Sequence, residues 1–211
     1  HEPEDATVFT NTAKNATSRI FDIFKILYDA GLAKAATLSP QTWDKETLVA
    51  IKRTNIRPKT YIDLQSMFTK AGIFTYSELL CGLPQETLTS FCAGIDAEVA
   101  MGQFDGITIY PLRMLPGTEM AIPEYRKAHG IVTRMTPIQA NHGDLSDVGV
   151  GPTEQEETVV STNAMPIEDW RTAMLIAWFV QAFFCLGLAR YPLLWLKEKH
   201  SVTVTQFARW F

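Results

Sequence analysis

Short runs of β-branched and aromatic residues recur along the first half of the chain. Each is followed by a stretch whose apolar residues fall at helical spacing, and this alternation leaves few folds open. ATVFTN (Ala6–Asn11) reads as a first strand. TSRIFDIFKILYDAGL follows, with Ile20, Ile23, Phe24 and Leu27 on one helical face and Gly31 as a C-terminal stop. Ala35–Ser39 is a second strand, and Asp44–Arg53 and Tyr61–Gly72 are helices, the latter with Leu64, Met67 and Phe68 on one side. Ile73–Gly82 is a third strand, Glu86–Met101 a helix that turns Leu88, Phe91, Cys92, Ile95 and Val99 to the core, and Gly106–Leu115 a fourth strand. Strands and helices alternating at this period imply parallel strands joined by right-handed helical crossovers. The expected fold class is therefore α/β: a partial parallel (β/α) barrel of about four βα units. In such barrels chemistry collects at the C-terminal ends of the strands.

After Gly117 the pattern changes. Asn141–Glu157 is rich in Gly, Asp and Glu, lacks an apolar period, and reads as a long exposed loop. Thr158–Met165 reads as a strand. Pro166, with Glu168 and Asp169 just behind it, opens a long helix to about Ala189. Two shorter helices follow, in YPLLWLKEKH and TVTQFARWF. The expected organisation is a half-barrel over residues 1–125, a loop-rich connection over 126–165 and a mainly helical C-terminal extension over 166–211.

Composition narrows the function classes. An apolar content of 46% over 211 residues allows a real core. A net charge of −4, with Lys and Arg scattered, argues against a nucleic-acid binder. Three cysteines at no metal-binding spacing fit a reducing compartment, so the expected location is the cytoplasm. There is no signal-peptide pattern, and the sequon at Asn15 is read as chance. Thr172–Ala189 is a long apolar run, interrupted by Gln181 and flanked by mixed charges; a helix packed into a core is expected rather than a membrane span.

The strand ends carry the polar groups. Gln41, just past the second strand, can donate and accept hydrogen bonds. Arg53, twelve residues on, could clamp a carboxylate in a bidentate fork. Glu78 lies in an otherwise apolar strand, where its carboxylate could accept from sugar hydroxyls. Gly82 would let a flat ligand approach the backbone, Pro84 fixes the turn, and Glu86 is placed in the first turn of a helix. Pro111 removes a ladder donor from the fourth strand. Each has a plainer reading: Gln41 as a loop residue, Arg53 and Glu86 as charges suited to a helix dipole, Glu78 as a solvent-facing edge residue. His129, His142 and His200 have no partners at ligand spacing.

Together, TLSPQTWDKETLVAIKRTNI, SELLCGLPQET and ITIYPLRMLPGTEM resemble the fourth, fifth and sixth strands of radical S-adenosylmethionine (SAM) enzymes. The coproporphyrinogen-dehydrogenase-like and cobalamin-binding branches are the most similar. The match covers about Ala6 to Met120, with the motifs in order; Gln85 stands where that family usually has Gly, and Pro40 where it often has a small or apolar residue. The resemblance implies that Gln41 and Arg53 hold the amino-acid end of SAM and that Glu78 holds the ribose. It implies that Leu80, Gly82 and Glu86 shape the adenine site, with Tyr110 and Leu112 offering backbone contacts. It also implies a 4Fe–4S cluster held by a CxxxCxxC loop, a 5′-deoxyadenosyl radical, a small-molecule or other substrate and a reducing electron donor. The tail resembles extensions of the cobalamin-binding branch, which suggests cobalamin-dependent methyl transfer. No CxxxCxxC occurs in the chain. The expectation is a C-terminal part that is inactive alone and partnered by an N-terminal half of the same polypeptide.

Two other classes stand beside this one. A self-contained α/β-barrel hydrolase or lyase would use Glu78 and Glu86 as acid and base. A non-enzymatic membrane-associated module would use Thr172–Ala189.

Overall fold

The strand Phe74–Cys81 (β2) organises the chain, and its side chains alternate in burial along its length. Thr75, Ser77, Leu79 and Cys81 are buried on one face, whereas Tyr76, Glu78 and Leu80 are half-buried on the other. This is the period-2 signature of a sheet covered by helices on one side and more open on the other. The computed structural model describes Val8 and residues 18–138 and 154–211.

β2 is the centre of a three-stranded parallel sheet in the order β1–β2–β3, with β1 at Ala35–Thr37 and β3 at Ile107–Pro111. The helices before and between these strands are α1 (Ser18–Asp29), α2 (Lys45–Ala50), α3 (Pro58–Lys70) and α4 (Leu88–Ala100). Three parallel strands are thus present among the described residues, where about four βα units were expected. The strand expected at Ala6–Asn11 falls outside the described residues apart from Val8, whose N–H donates to the Leu32 carbonyl at 2.8 Å.

Local chemistry sets the element boundaries. Asp44 caps α2 by accepting from the Thr47 N–H at 2.8 Å, and the helix stops at Ala50, just before Lys52 enters the left-handed region at φ 54°. α4 begins at Leu88 rather than Glu86, because Thr87 and Ser90 form a reciprocal capping box. Glu86 therefore lies outside the helix, not in its first turn. β3 ends at Pro111 rather than Leu115, because its partner β2 ends opposite it at Cys81, after a last bond from the Leu112 N–H to the Cys81 carbonyl at 2.9 Å.

Two cores flank the sheet. Phe24, Tyr61, Leu64 and Phe68 join α1 and α3 to Ala36 of β1. Leu79, Phe91, Ile95 and Ile109 join β2, β3 and α4 to the C-terminal helices. A buried polar seam lies between them. The Gln103 side chain accepts from Tyr61 and Gln65 and donates to the carbonyls of Thr75 and Gly106.

Beyond β3 come a 3-10 turn (Glu119–Ala121) and α5 (Pro123–His129). An antiparallel pair follows, β4 (Val132–Pro137) with β5 (Gln155–Ser161). Most of the expected loop, residues 141–153, lies outside the described residues, but its last three residues, Gln155–Glu157, are strand. They pair with β4, and Glu157 accepts from Arg126 and Thr133.

The long helix expected to about Ala189 is two pieces that end at Cys185, and the two shorter helices expected after it are present. α6 (Ile167–Phe179) runs into a π-helical turn (Val180–Cys185), and the chain then bends by 103° into α7 (Arg190–His200) before α8 (Val204–Ala208). Arg190 closes the break by donating to the carbonyls of Phe184 and Cys185. The π-helical turn packs along the outer edge of β3. There the Gln181 amide reaches the Ile109 carbonyl at 3.5 Å, and Cys185 Sγ accepts from the Ile107 N–H at 3.3 Å. Among the described residues no single helix is long and apolar enough to cross a membrane; the bent pair formed by Ile167–Cys185 and α7 passes on length and composition alone.

Candidate functional site

A cavity of about 540 Å³ opens at the C-terminal ends of β2 and β3. Leu80 and Tyr110, neighbours in register on the open face of the sheet, form its floor. Leu83 and Leu112 add apolar wall. Ile51 and Arg53 come from the segment after α2, and Thr118 and Met120 from the turn before α5. These last two segments are tied together outside the cavity. Lys52 pairs with Glu119 at 2.6 Å, and the Tyr125 hydroxyl donates to the Ala50 carbonyl at 3.1 Å.

Gln41 enters the wall by a short extension of the sheet. Its N–H donates to the Glu78 carbonyl at 3.1 Å, and its carbonyl accepts from the Leu80 N–H at 2.9 Å. With both backbone groups used and φ at 70°, Gln41 lines the cavity. Arg53 is exposed on the same wall and forms no ion pair among the described residues. An unpaired guanidinium beside an amide suits a carboxylate, and the apolar floor suits a flat ring.

Five of the eight residues singled out in the sequence therefore share one cavity: Gln41, Arg53, Leu80, Tyr110 and Leu112. Glu78 stands beside it on the open face, opposite Thr108 in register, and accepts from the Ser39 hydroxyl at 2.8 Å. The Tyr110 phenol is pushed above its usual range, first by burial and then by the negative charge of Glu78.

Gly82 and Glu86 lie off the cavity wall. Gly82 is buried at φ 99°, and a Cβ there would sit 3.5 Å from Val159 and 3.7 Å from Trp170. Its backbone thus faces protein side chains, and what requires glycine is the positive φ. Glu86 is 2% exposed and accepts from the Thr42 hydroxyl at 2.5 Å. Burial drives its carboxyl up to about 8, against the lowering effect of the Thr42 bond.

Sequence reading missed Arg113, a second guanidinium on the wall, held by Glu156 at 2.9 Å. Its partner is on β5, in a stretch that reads as loop. The apolar residues Ile51, Met114 and Met120 were also missed, the first two because the helix and strand expected to contain them end before them, at Ala50 and Pro111. The three thiols do not converge. Cys81 and Cys92 are buried, Cys185 is half-buried, and desolvation raises the pKa of each. Among the described residues no group of three or more His, Cys, Asp or Glu could hold a metal ion.

No protein-family model matches the chain. Two curated relatives do. The cobalamin-dependent radical SAM methyltransferase TokK of Streptomyces tokunonensis is 34% identical over 200 residues, which is 95% of this chain and 29% of TokK. The 2-(S-pantetheinyl)-carbapenam-3-carboxylate methyltransferase of Streptantibioticus cattleyicolor is 32% identical over 197 residues, 93% of this chain and 28% of that protein. Among solved structures, the radical SAM methyltransferase TsrM of Kitasatospora setae, with tryptophan and a SAM analogue bound, aligns at TM-score 0.46 and 22% identity. That alignment covers 74% of this chain and 33% of TsrM. TsrM with cobalamin and a [4Fe-4S] cluster bound aligns at TM-score 0.40 and 24% identity, over 57% of this chain and 22% of TsrM. Over nearly all of its length, then, the chain is similar to methyltransferases, a cobalamin-dependent radical SAM enzyme among them, and it spans just under a third of each curated relative.

Proposed function

We propose that this chain forms the SAM-binding part of a cobalamin-dependent radical SAM methyltransferase. The observation that carries the reading is the convergence of Gln41, Arg53, Leu80, Tyr110 and Leu112 on one cavity at the strand ends. Its volume lies within the roughly 300–1,000 Å³ of small-molecule sites. The homology to TokK supplies the reaction class.

The residues fit the cofactor. Arg53 would hold the carboxylate of the amino-acid end, with Gln41 beside it to bond the remaining polar atoms. Leu80, Leu83, Tyr110 and Leu112 would enclose the adenine and keep water from it, while Glu78, fixed by Ser39, would accept from the ribose hydroxyls. Bound there, SAM supplies methyl and one-electron cleavage chemistry, and cobalamin supplies methyl-carrier chemistry. The described cysteines do not fit a cluster, being dispersed, with Cys81 and Cys92 buried. The reading therefore places the cluster ligands in further sequence of the same polypeptide, which with a one-electron donor makes up the protein's partners. Free, buried thiols and redox chemistry of this kind support a cytoplasmic setting. The hydrolase reading finds little geometric support, since Glu86 is buried against Thr42 and does not share the cavity.

The test uses the intact protein with its cluster reconstituted under anaerobic conditions. SAM binding is measured by calorimetry, and release of S-adenosylhomocysteine and 5′-deoxyadenosine under reduction by mass spectrometry. SAM binds, and Arg53→Ala weakens it about 10- to 100-fold, the range for a lost charge-assisted bond. Absence of SAM binding by the wild-type protein overturns the proposal.

A further inference from the structure

Glu86 is a buried acid with only one of its oxygens partnered: Oε1 accepts from Thr42, and Oε2 meets no donor. A polar group is seldom enclosed in this way unless its bond fixes something. The bond spans 44 residues of sequence and fastens the loop after β1 to the loop after β2.

Thr42 is the junction of that loop. Its hydroxyl also accepts from the Asp44 N–H at 3.1 Å, and its carbonyl accepts from the Asn55 side chain at 2.8 Å. Asp44 in turn caps α2 through Thr47. Gln41 directly precedes this junction. Arg53 follows α2 and stands two residues before Asn55. Both cavity side chains expected at the amino-acid end are thus suspended from Thr42, which Glu86 anchors from beneath.

We infer that Glu86 is a positioning residue: through Thr42 it sets Gln41 and Arg53 where the amino-acid end of the bound nucleoside cofactor lies, and it does not touch the adenine. The inference rests on the SAM reading of the cavity and assigns Glu86 a different place in it.

The test compares two probes on the intact protein by calorimetry. S-adenosylhomocysteine carries the amino-acid end, and 5′-methylthioadenosine shares the nucleoside but lacks it. Thr42→Val and Glu86→Ala weaken S-adenosylhomocysteine at least tenfold and change 5′-methylthioadenosine less than about threefold. Glu86→Gln restores both to within about threefold of wild type, because Gln keeps the acceptor for Thr42 and matches the neutral acid in size. These windows correspond to losing or keeping about one hydrogen bond. Equal weakening of both probes, or none by either variant, overturns the inference. If Glu86→Ala does not fold, Thr42→Val decides between these outcomes by itself. Wild-type protein that binds neither probe overturns the SAM reading instead. The strut is then judged by hydrogen exchange, where Glu86→Ala must speed exchange at the amides of Gln41, Asp44 and Thr47, and unchanged exchange refutes it.

Discussion

Replacing Glu98 with Gln should make the protein more stable in alkali and leave it nearly unchanged in mild acid. Glu98 is 0% exposed. The Trp43 indole N–H donates to one oxygen at 3.1 Å, and the Ser77 hydroxyl donates to the other. Burial is the dominant influence and raises the carboxyl from 4.5 to about 7, although both hydrogen bonds oppose it. The native state therefore keeps a proton that the unfolded chain gives up above pH 4.5. The stability from this group is complete below pH 4.5, declines as pH rises, and is gone above about 7. Linkage sets the slope at about 1.4 kcal/mol per pH unit, or about 3 kcal/mol over the whole window. A Gln is uncharged throughout. Its carbonyl can accept from Trp43 and its NH₂ can donate to Ser77, whose hydroxyl rotates to suit. Urea unfolding, followed by Trp fluorescence from pH 4 to 9, should show the two proteins alike at pH 4 and the variant about 3 kcal/mol more stable by pH 8. Subtracting the curves removes contributions common to both, Glu86 included. A difference that does not vary with pH would show that Glu98 is hydrated or ionised in the native state, and the reasoning would fail.

Gly130→Ala places a Cβ 2.0 Å from Asn163 Oδ1 at φ 59°. It should lower stability by about 1–2 kcal/mol, from the left-handed strain and the displaced Asn163 side chain, read as a lower urea midpoint at unchanged slope. Gln103→Leu removes an acceptor from the Tyr61 hydroxyl and from one Gln65 amide proton and the side-chain donor to the Thr75 carbonyl, and should cost about 2–3 kcal/mol in the same assay.

The parallel sheet was legible because β2 and β3 are short runs rich in aromatic, aliphatic and β-branched residues between helices whose apolar residues repeat on one face. Of the candidate residues, topology marked Gln41 at a strand end, whereas Arg53 as its partner, Leu80 and Tyr110 came from the family resemblance; all four line one cavity. Of the β4–β5 pair only residues 158–161 were read as strand, and the rest was hidden by its composition. Val132–Pro137 is largely exposed, and Glu156 and Glu157 read as loop because the arginines that pair with them, Arg113 and Arg126, are distant in sequence. The change to π-helical pairing after Phe179 was hidden for the opposite reason. Leu175 to Cys185 is nearly all apolar, so no period marks it, and the bend itself follows at residues 186–189, where Gly187 takes φ 85°. Glu86 was misplaced because its charge suited a first helical turn, whereas the Thr87–Ser90 box starts the helix at Leu88 and leaves the acid to be buried.

The π-helical turn along β3 makes the sheet directional. An open strand edge is a template for any other strand, and here the Ile107 N–H and the Ile109 carbonyl are already taken by Cys185 and Gln181. Any strand added to this sheet must join on the β1 side. Neither a second copy nor a stray segment can zip onto β3 without first displacing the turn. The C-terminal segment thus acts as a terminator, sealing the β3 edge of the three-stranded sheet.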